Sequence, residues 1–317
     1  MSKRNLLLLG ISIYIIGGVG GQFANTIWIL LLLRLLLGAG VGLILPLSMS
    51  LINDYFTGDE RTRMMGYNSA FSNFGGIVTI VVAGILATYG WRIPFNVYLI
   101  GFVVMSLVFF FIPNERVKNE VTEKEKTGIP WIVYVYALGM MMIMIAYFSI
   151  STNMALFLAE NQLGESRLAG MIISFTTIGG MTTSLLLVQI QSIFKEYTVT
   201  VMLIGMGLAF TFLSFTNSII LIMISVCLIG FGQGSLFPII ILKALNRVGP
   251  QYSERTIAIT SSFVFLGQFL SPVVLETASS IFNQKMIRFQ FTFLAICFFI
   301  YLAITIAFNI SKVLRSS

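Results

Sequence analysis

Apolar residues run through this chain in stretches of about twenty, broken by short polar interruptions. The pattern predicts ten helices, over 5–24, 27–51, 65–88, 94–112, 131–157, 166–190, 198–216, 218–245, 256–281 and 289–310. Each stretch is long enough to cross a hydrocarbon core of about 30 Å. A backbone in lipid must satisfy its own hydrogen bonds, and these runs are too long for barrel strands, so the spans are read as helices. The first run is too long for a signal peptide, shows no cleavage site, and is followed at once by another span.

Composition agrees with that reading. Hydrophobic residues make up 57% of the chain, charged residues 10%, and mean hydropathy is +0.95. A soluble domain carries about 25% charge, so this chain cannot cover a water-facing surface. There is no histidine, and Cys227 and Cys297 both lie inside apolar runs. That argues against metal sites, histidine bases and enzyme chemistry, and no cofactor is expected.

The net charge of +7 is a matter of topology and gives no reason to expect nucleic acid. With a cytoplasmic N-terminus, the cytoplasmic side holds Lys3, Arg4, Arg61, Arg63, Arg116, Lys118, Lys124, Lys126, Lys195, Lys243, Arg247, Arg255, Lys312 and Arg315. The external side holds Arg92, Arg167, Lys285 and Arg288, and Arg34 lies inside a span. This bias predicts a multi-pass protein of the cell membrane with both termini in the cytoplasm. The charged segment NERVKNEVTEKEKTG begins at Asn114, between Pro113 and Pro130. Read as a cytoplasmic linker over 114–129, it separates a half of four helices (1–113) from a half of six (130–317).

An internal repeat relates the two halves. Gly38, Gly40, Gly42 and Pro46 recur as Gly230, Gly232, Gly234 and Pro238, each at an offset of 192. The same offset carries Arg63 onto Arg255, Ser69 onto Ser261, Phe71 onto Phe263 and Gly75 onto Gly267. Parallel repeats of this kind build many secondary transporters. Residues 5–112 map onto 197–304, which leaves 131–157 and 166–190 without counterparts. The first half therefore lacks its opening two helices. Either this is a ten-span variant, or the reading frame is truncated or misassigned, which is the expectation of the two.

Four stretches resemble the major facilitator superfamily. SKRNLLLLG at the start is similar to the tail of the family's loop between helices two and three, keeping Lys3 and Arg4 but not its aspartate. Arg34 with Gly38 and Gly40 resembles the fourth-helix motif, with Leu37 in place of glutamine. NDYFTGDERTRMMGYNSAFSNFGG from Asn53 resembles the next loop and helix five, and YGWRIPF from Tyr89 the opening of helix six. The resemblance implies an all-α integral membrane bundle of two pseudo-symmetric halves, here family helices three to twelve. It also implies alternating access to a small-molecule site at the midplane, in a monomer embedded in the lipid bilayer. The drug–proton antiporter branch is the nearest, although Thr79-Ile80 replaces its Gly-Pro and Ser271-Pro272 stands at the matching place in the second half.

Individual residues follow. The glycines, with Gly17 and Gly21, are expected to clear backbone for helix contact, and Pro46 to kink its helix. An arginine as deep as Arg34 costs about 2.5–3.5 kcal/mol on insertion scales, so it should face a cavity or a partner, with snorkelling as the alternative. The repeat puts Val226 opposite it. By resemblance, the substrate and proton-coupling candidates are Arg34, Gln233, Asn153, Tyr147 and Glu276. Glu160 is a weaker candidate, read first as a loop acid. Asn68, Asn73 and Gln268 are read first as interhelical hydrogen-bond formers, and Met140–Met144 as an adaptable wall or lipid-facing filler. Asp54 and Arg63, with Lys3 or Arg4, are expected to brace the cytoplasmic gate. The reading is proton-coupled efflux of a small organic solute. The alternatives are uptake of a metabolite or organic anion, with Arg34 as clamp, and a non-transporting remnant or interaction subunit.

Overall fold

The computed structural model describes residues 2–87, 89–114, 129–164, 166–284 and 286–316. Arg116, Lys118, Lys124, Lys126 and Lys285 lie outside the described residues, as does nearly all of the predicted linker. The side chains of Arg167, Lys312 and Arg315 lie outside them too.

The described chain is helical, with no strands among the described residues: α1 (Lys3–Val19), α2 (Ile27–Tyr55), α3 (Gly58–Ala87), α4 (Ile100–Phe111), α5 (Trp131–Glu160), α6 (Ser166–Leu185), α7 (Leu187–Phe194), α8 (Thr198–Phe215), α9 (Ile219–Leu245), α10 (Ser253–Ile281) and α11 (Ile287–Ser316). Eight segments of the described chain are long and apolar enough to cross a membrane. The predicted spans over 65–88 and 289–310 are not among them. Helix α3 carries Asp59, Glu60, Arg61 and Arg63 at its start and Asn68, Ser69, Ser72 and Asn73 farther on. The described apolar part of α11, Ile287–Ala303, is shorter than the others. The predicted helix over 166–190 breaks earlier, at Leu186. A 3-10 turn over Lys195–Tyr197, with Lys195 in the left-handed region, then joins α7 to α8.

The chain forms two compact units. One comprises Met1–Thr57, Gly75–Tyr134 and Ala244–Ser262. In it α1 and α2 start on side-chain caps, Ser2 accepting from the Asn5 amide and Thr26 from the Ile29 amide. They pack antiparallel on small residues: a Cβ at Gly17 would stand 2.7 Å from the Leu33 carbonyl oxygen, and one at Gly40 2.6 Å from the Tyr14 nitrogen. Helix α4 and the 3-10 turn Ile93–Leu99 close over α1, where Tyr98 covers Gly18 and Phe95 covers Gly21. Leu7, Ile11, Ile15 and Val108 form the small core.

The other unit comprises Gly58–Phe74, Val135–Lys243 and Phe263–Ser317. Its core is larger and runs from Met140 on α5 to Phe298 on α11. Phe157, Phe210 and Phe291 are fully buried, with the Phe157 and Phe291 rings 5.2 Å apart. Lipid is as apolar as these side chains, so close packing and interhelical hydrogen bonds hold such a core. Serine and glycine supply both. Ser271 donates to the Ile145 carbonyl at 2.7 Å, and a Cβ at Gly267 would stand 2.6 Å from the Met141 carbonyl, which fixes α10 against α5.

Candidate functional site

In the first unit the site centres on Arg34. Its guanidinium donates to the Tyr98 hydroxyl at 3.0 Å and lies over the Phe95 ring, 4.8 Å from the centroid, with the Tyr98 ring at 5.7 Å. It makes no ion pair among the described residues. The turn Ile93–Leu99 supplies both rings, so the arginine is held by aromatic faces and one hydroxyl while its charge stays unneutralised. Such a group can bind an anion, or respond to charge appearing nearby.

The other polar candidates lie in the second unit. Asn153, buried on α5, donates to Gln290 of α11 at 2.6 Å, and Gln290 donates to Ser279 at 3.1 Å. This places Asn153 in an interhelical network. Tyr147 packs on the large core beside Thr176. Gln233 is half-buried on α9, and its carbonyl oxygen is enclosed without a hydrogen-bond partner among the described residues. Glu276 is exposed on α10 and makes no ion pair among the described residues. Glu160 accepts from the Ile287 amide at 2.9 Å and so caps the start of α11. Asn73 donates to the Ser69 carbonyl of its own helix.

The glycine motif divides. Gly40 packs on Tyr14 and Gly10 of α1, and Gly232 on Met206 and Met202 of α8. Gly230 and Gly234 pack on Thr176 and Gly180 of α6. A Cβ at Gly38 or Gly42 would meet nothing within 4 Å among the described residues, against the expectation that they clear backbone for a neighbour. Pro46 and Pro238 both lie inside continuous helices.

At the far end of α2, Lys3 donates to Asp54 (2.5 Å) and Ser50 (2.7 Å) and pairs with Glu254 at 2.7 Å. Lys3, not Arg4, reaches Asp54; Arg4 lies over the Phe109 ring. Arg63, expected to brace the same gate, belongs to the second unit, where it lines a cavity with Tyr67, Leu185, Val188, Gln189 and Ser192.

Two clasps escaped the sequence reading. Arg92 donates to the Ala24 carbonyl (3.3 Å) and to Asn25 (3.2 Å) at the turn between α1 and α2. Arg288 donates to the Thr216 carbonyl (3.1 Å) and to Asn217 at the turn between α8 and α9. It also binds Asn161 (2.5 Å) and the Ser214 carbonyl (3.2 Å). The signal was present: Asn25 and Asn217 obey the 192-residue offset, and both arginines are exceptions to the positive-inside count.

Comparison with known proteins completes the picture. A sequence model described as the Major Facilitator Superfamily matches residues 1–272. Multidrug resistance protein 1 of Bacillus subtilis (strain 168) is 22% identical over 99% of this chain and 82% of its own length. Multidrug resistance protein MdtG of Salmonella arizonae is 31% identical, over 37% of this chain and 29% of its own length. The crystal structure of the human organic anion transporter MFSD10 (TETRAN) superimposes with a TM-score of 0.78 at 13% identity, covering 95% of this chain and 76% of that one. That of FucP in the outward conformation does so at 0.70 and 12%, covering 96% and 82%.

Proposed function

The chain belongs to the Major Facilitator Superfamily, and on that premise we propose that it exports a small organic solute across the cell membrane by alternating access, coupled to proton entry. Membership makes it a multi-pass membrane transporter rather than an enzyme. Its relatives at low identity include proteins named for multidrug resistance. The observation that carries the mechanism is Arg34, an unneutralised guanidinium well inside an apolar span, held by Tyr98 and Phe95. Charge at such depth is costly and marks a transport pathway. Glu276, an acid without an ion-pair partner among the described residues, is the proposed proton carrier. Gln233, Asn153 and Tyr147 are proposed to line the path, with Asn153 held through Gln290.

The proposed architecture is a monomer of ten spans, termini cytoplasmic, with halves over 1–113 and 130–317 joined by a linker. Contact register supports the repeat. Gly40 meets Tyr14 and Gly10, and Gly232 meets Met206 and Met202, all at the same offset of 192. The bare faces of Gly38 and Gly42 support a helix pair lacking from this sequence, because Gly230 and Gly234 are covered by α6, which has no counterpart here. A remnant that does not transport is the alternative this implies. The Lys3–Asp54–Glu254 cluster is the proposed cytoplasmic gate, bonded in one state and released in the other.

A second reading rests on the same arginine. A guanidinium free of acids can take a carboxylate in two parallel hydrogen bonds, which favours uptake of an organic anion.

The test is transport of a fluorescent cationic dye by the chain in proteoliposomes under an imposed proton gradient. Gradient-dependent extrusion is expected, with Arg34→Ala lowering its rate at least about tenfold. Extrusion that ignored the gradient would exclude proton coupling. An unchanged Arg34→Ala rate would remove Arg34 from the mechanism. Accumulation of a labelled carboxylate would select the second reading, and inactivity cured only by a supplied N-terminal helix pair would select the remnant.

A further inference from the structure

We propose that the cavity at Arg63 holds the phosphate headgroup of an anionic phospholipid. The cavity measures about 250 Å³ and lies within the second unit, between the start of α3 and the short helix α7. The break at Leu186 lies beside it: α6 stops at Leu185, which lines the cavity, and α7 begins a new helix at Leu187. One wall is fixed: a Cβ at Gly66 would stand 2.6 Å from the Ser184 carbonyl, and Ser184 donates to Ser69 at 2.9 Å.

The lining chooses the ligand. Arg63 makes no hydrogen bond or ion pair among the described residues. Tyr67 follows it on α3, and Gln189 stands on α7, so a guanidinium, a phenol and an amide edge one space, while the Ser192 hydroxyl there donates to the Gln189 backbone carbonyl at 2.8 Å. The guanidinium, phenol and amide suit phosphate oxygens. Asp59, Glu60 and Glu196 stand nearby in sequence, with Arg61 and Lys195, yet among the described residues no acid comes within ion-pair distance of Arg63. Leu185 and Val188 make the remaining wall apolar, and Leu185 is 47% exposed, so the pocket continues onto a surface that suits an acyl chain. A free anion would gain nothing from that wall. Basic pockets between helices at the cytoplasmic leaflet take anionic headgroups in this way. The leaflet assignment rests on the cytoplasmic placement of this end; the binding itself does not depend on transport.

Native mass spectrometry of the full chain, titrated with phosphatidylglycerol or phosphatidylcholine, tests this. One phosphatidylglycerol per chain is expected, with an affinity lowered at least about fivefold by Arg63→Gln, and excess inorganic phosphate should not displace it. Val188→Trp fills the cavity while keeping Arg63, and should lose the lipid equally; it decides the matter if Arg63→Gln fails to fold. Equal retention by both variants, equal retention of phosphatidylcholine, or displacement by inorganic phosphate would each overturn the proposal. A cysteine at Lys195 labelled only from outside would overturn the topology and leave the headgroup site standing.

Discussion

Arg92 closes the turn at Asn25 as Arg288 closes the turn at Asn217. The asparagines are 192 residues apart and the arginines 196, so the clasp recurs although the arginine has moved by four positions. Arg288 is the stronger of the two. It is half-buried, lies over Phe157 and ties α5, α8 and α11 through Asn161, Ser214, Thr216 and Asn217. Hydrogen bonds to a charged group contribute about 1.5–3 kcal/mol net, and contributions from one side chain do not simply add. Arg288→Ala is expected to destabilise by about 2–4 kcal/mol, and the exposed Arg92→Ala by about 1 kcal/mol or less. Thermal unfolding of the two variants in detergent would check the ranking, and equal losses would refute it.

The glycines give a sharper contrast. A Cβ at Gly230 would drive into the Thr176 backbone, which cannot turn aside, whereas one at Gly38 meets nothing within 4 Å among the described residues. Gly230→Ala is expected to cost about 1–3 kcal/mol, the usual range for overpacking. Gly38→Ala should lie within about 0.5 kcal/mol of the parent. Melting temperatures of the chain alone check this. If a helix pair equivalent to α5 and α6 is then supplied and engages α2, Gly38→Leu should block its docking.

Much of the fold was legible because its signals are local. Long apolar runs gave the helices, and the offset of 192 pointed to the register later seen at Gly40 and Gly232. The break at Leu186 was not legible: the residues around it, Leu185 to Val188, are all apolar, and no glycine or proline marks a stop there. The site was read less well. A depth argument singled out Arg34, but its aromatic cradle comes from a turn some sixty positions on, which spacing cannot reveal. Glu160 illustrates the reverse: an acid near the membrane edge had two readings, and only its contact with the Ile287 amide separates them.

Glu276 supports a prediction about coupling. If it carries the proton, Glu276→Gln fixes the neutral form and prevents the charge cycle. Net gradient-driven efflux should fall at least about tenfold, while exchange of labelled for unlabelled solute, which needs no net proton movement, should persist. Loss of both activities would mean that Glu276 serves binding or folding instead. Transport and exchange measured on the same proteoliposomes separate these outcomes.

The Lys3 cluster is the last test, and its geometry sets the size of the effect. Lys3 and Asp54 have side chains 14% and 16% exposed, whereas Glu254 is 54% exposed. Solvent screens the outer pair more, so Lys3–Asp54 should couple by about 1 kcal/mol and Lys3–Glu254 by a few tenths. Double-mutant cycles on thermal unfolding with Lys3→Met, Asp54→Asn and Glu254→Gln measure both. Transport should rank them differently. Lys3–Glu254 joins α1 to α10, so removing it is expected to change the balance between gate states even where stability barely moves. Accessibility of a cysteine placed at Ser50 reads that balance. A Glu254→Gln variant with unchanged accessibility would show the contact to be a surface pair and nothing more.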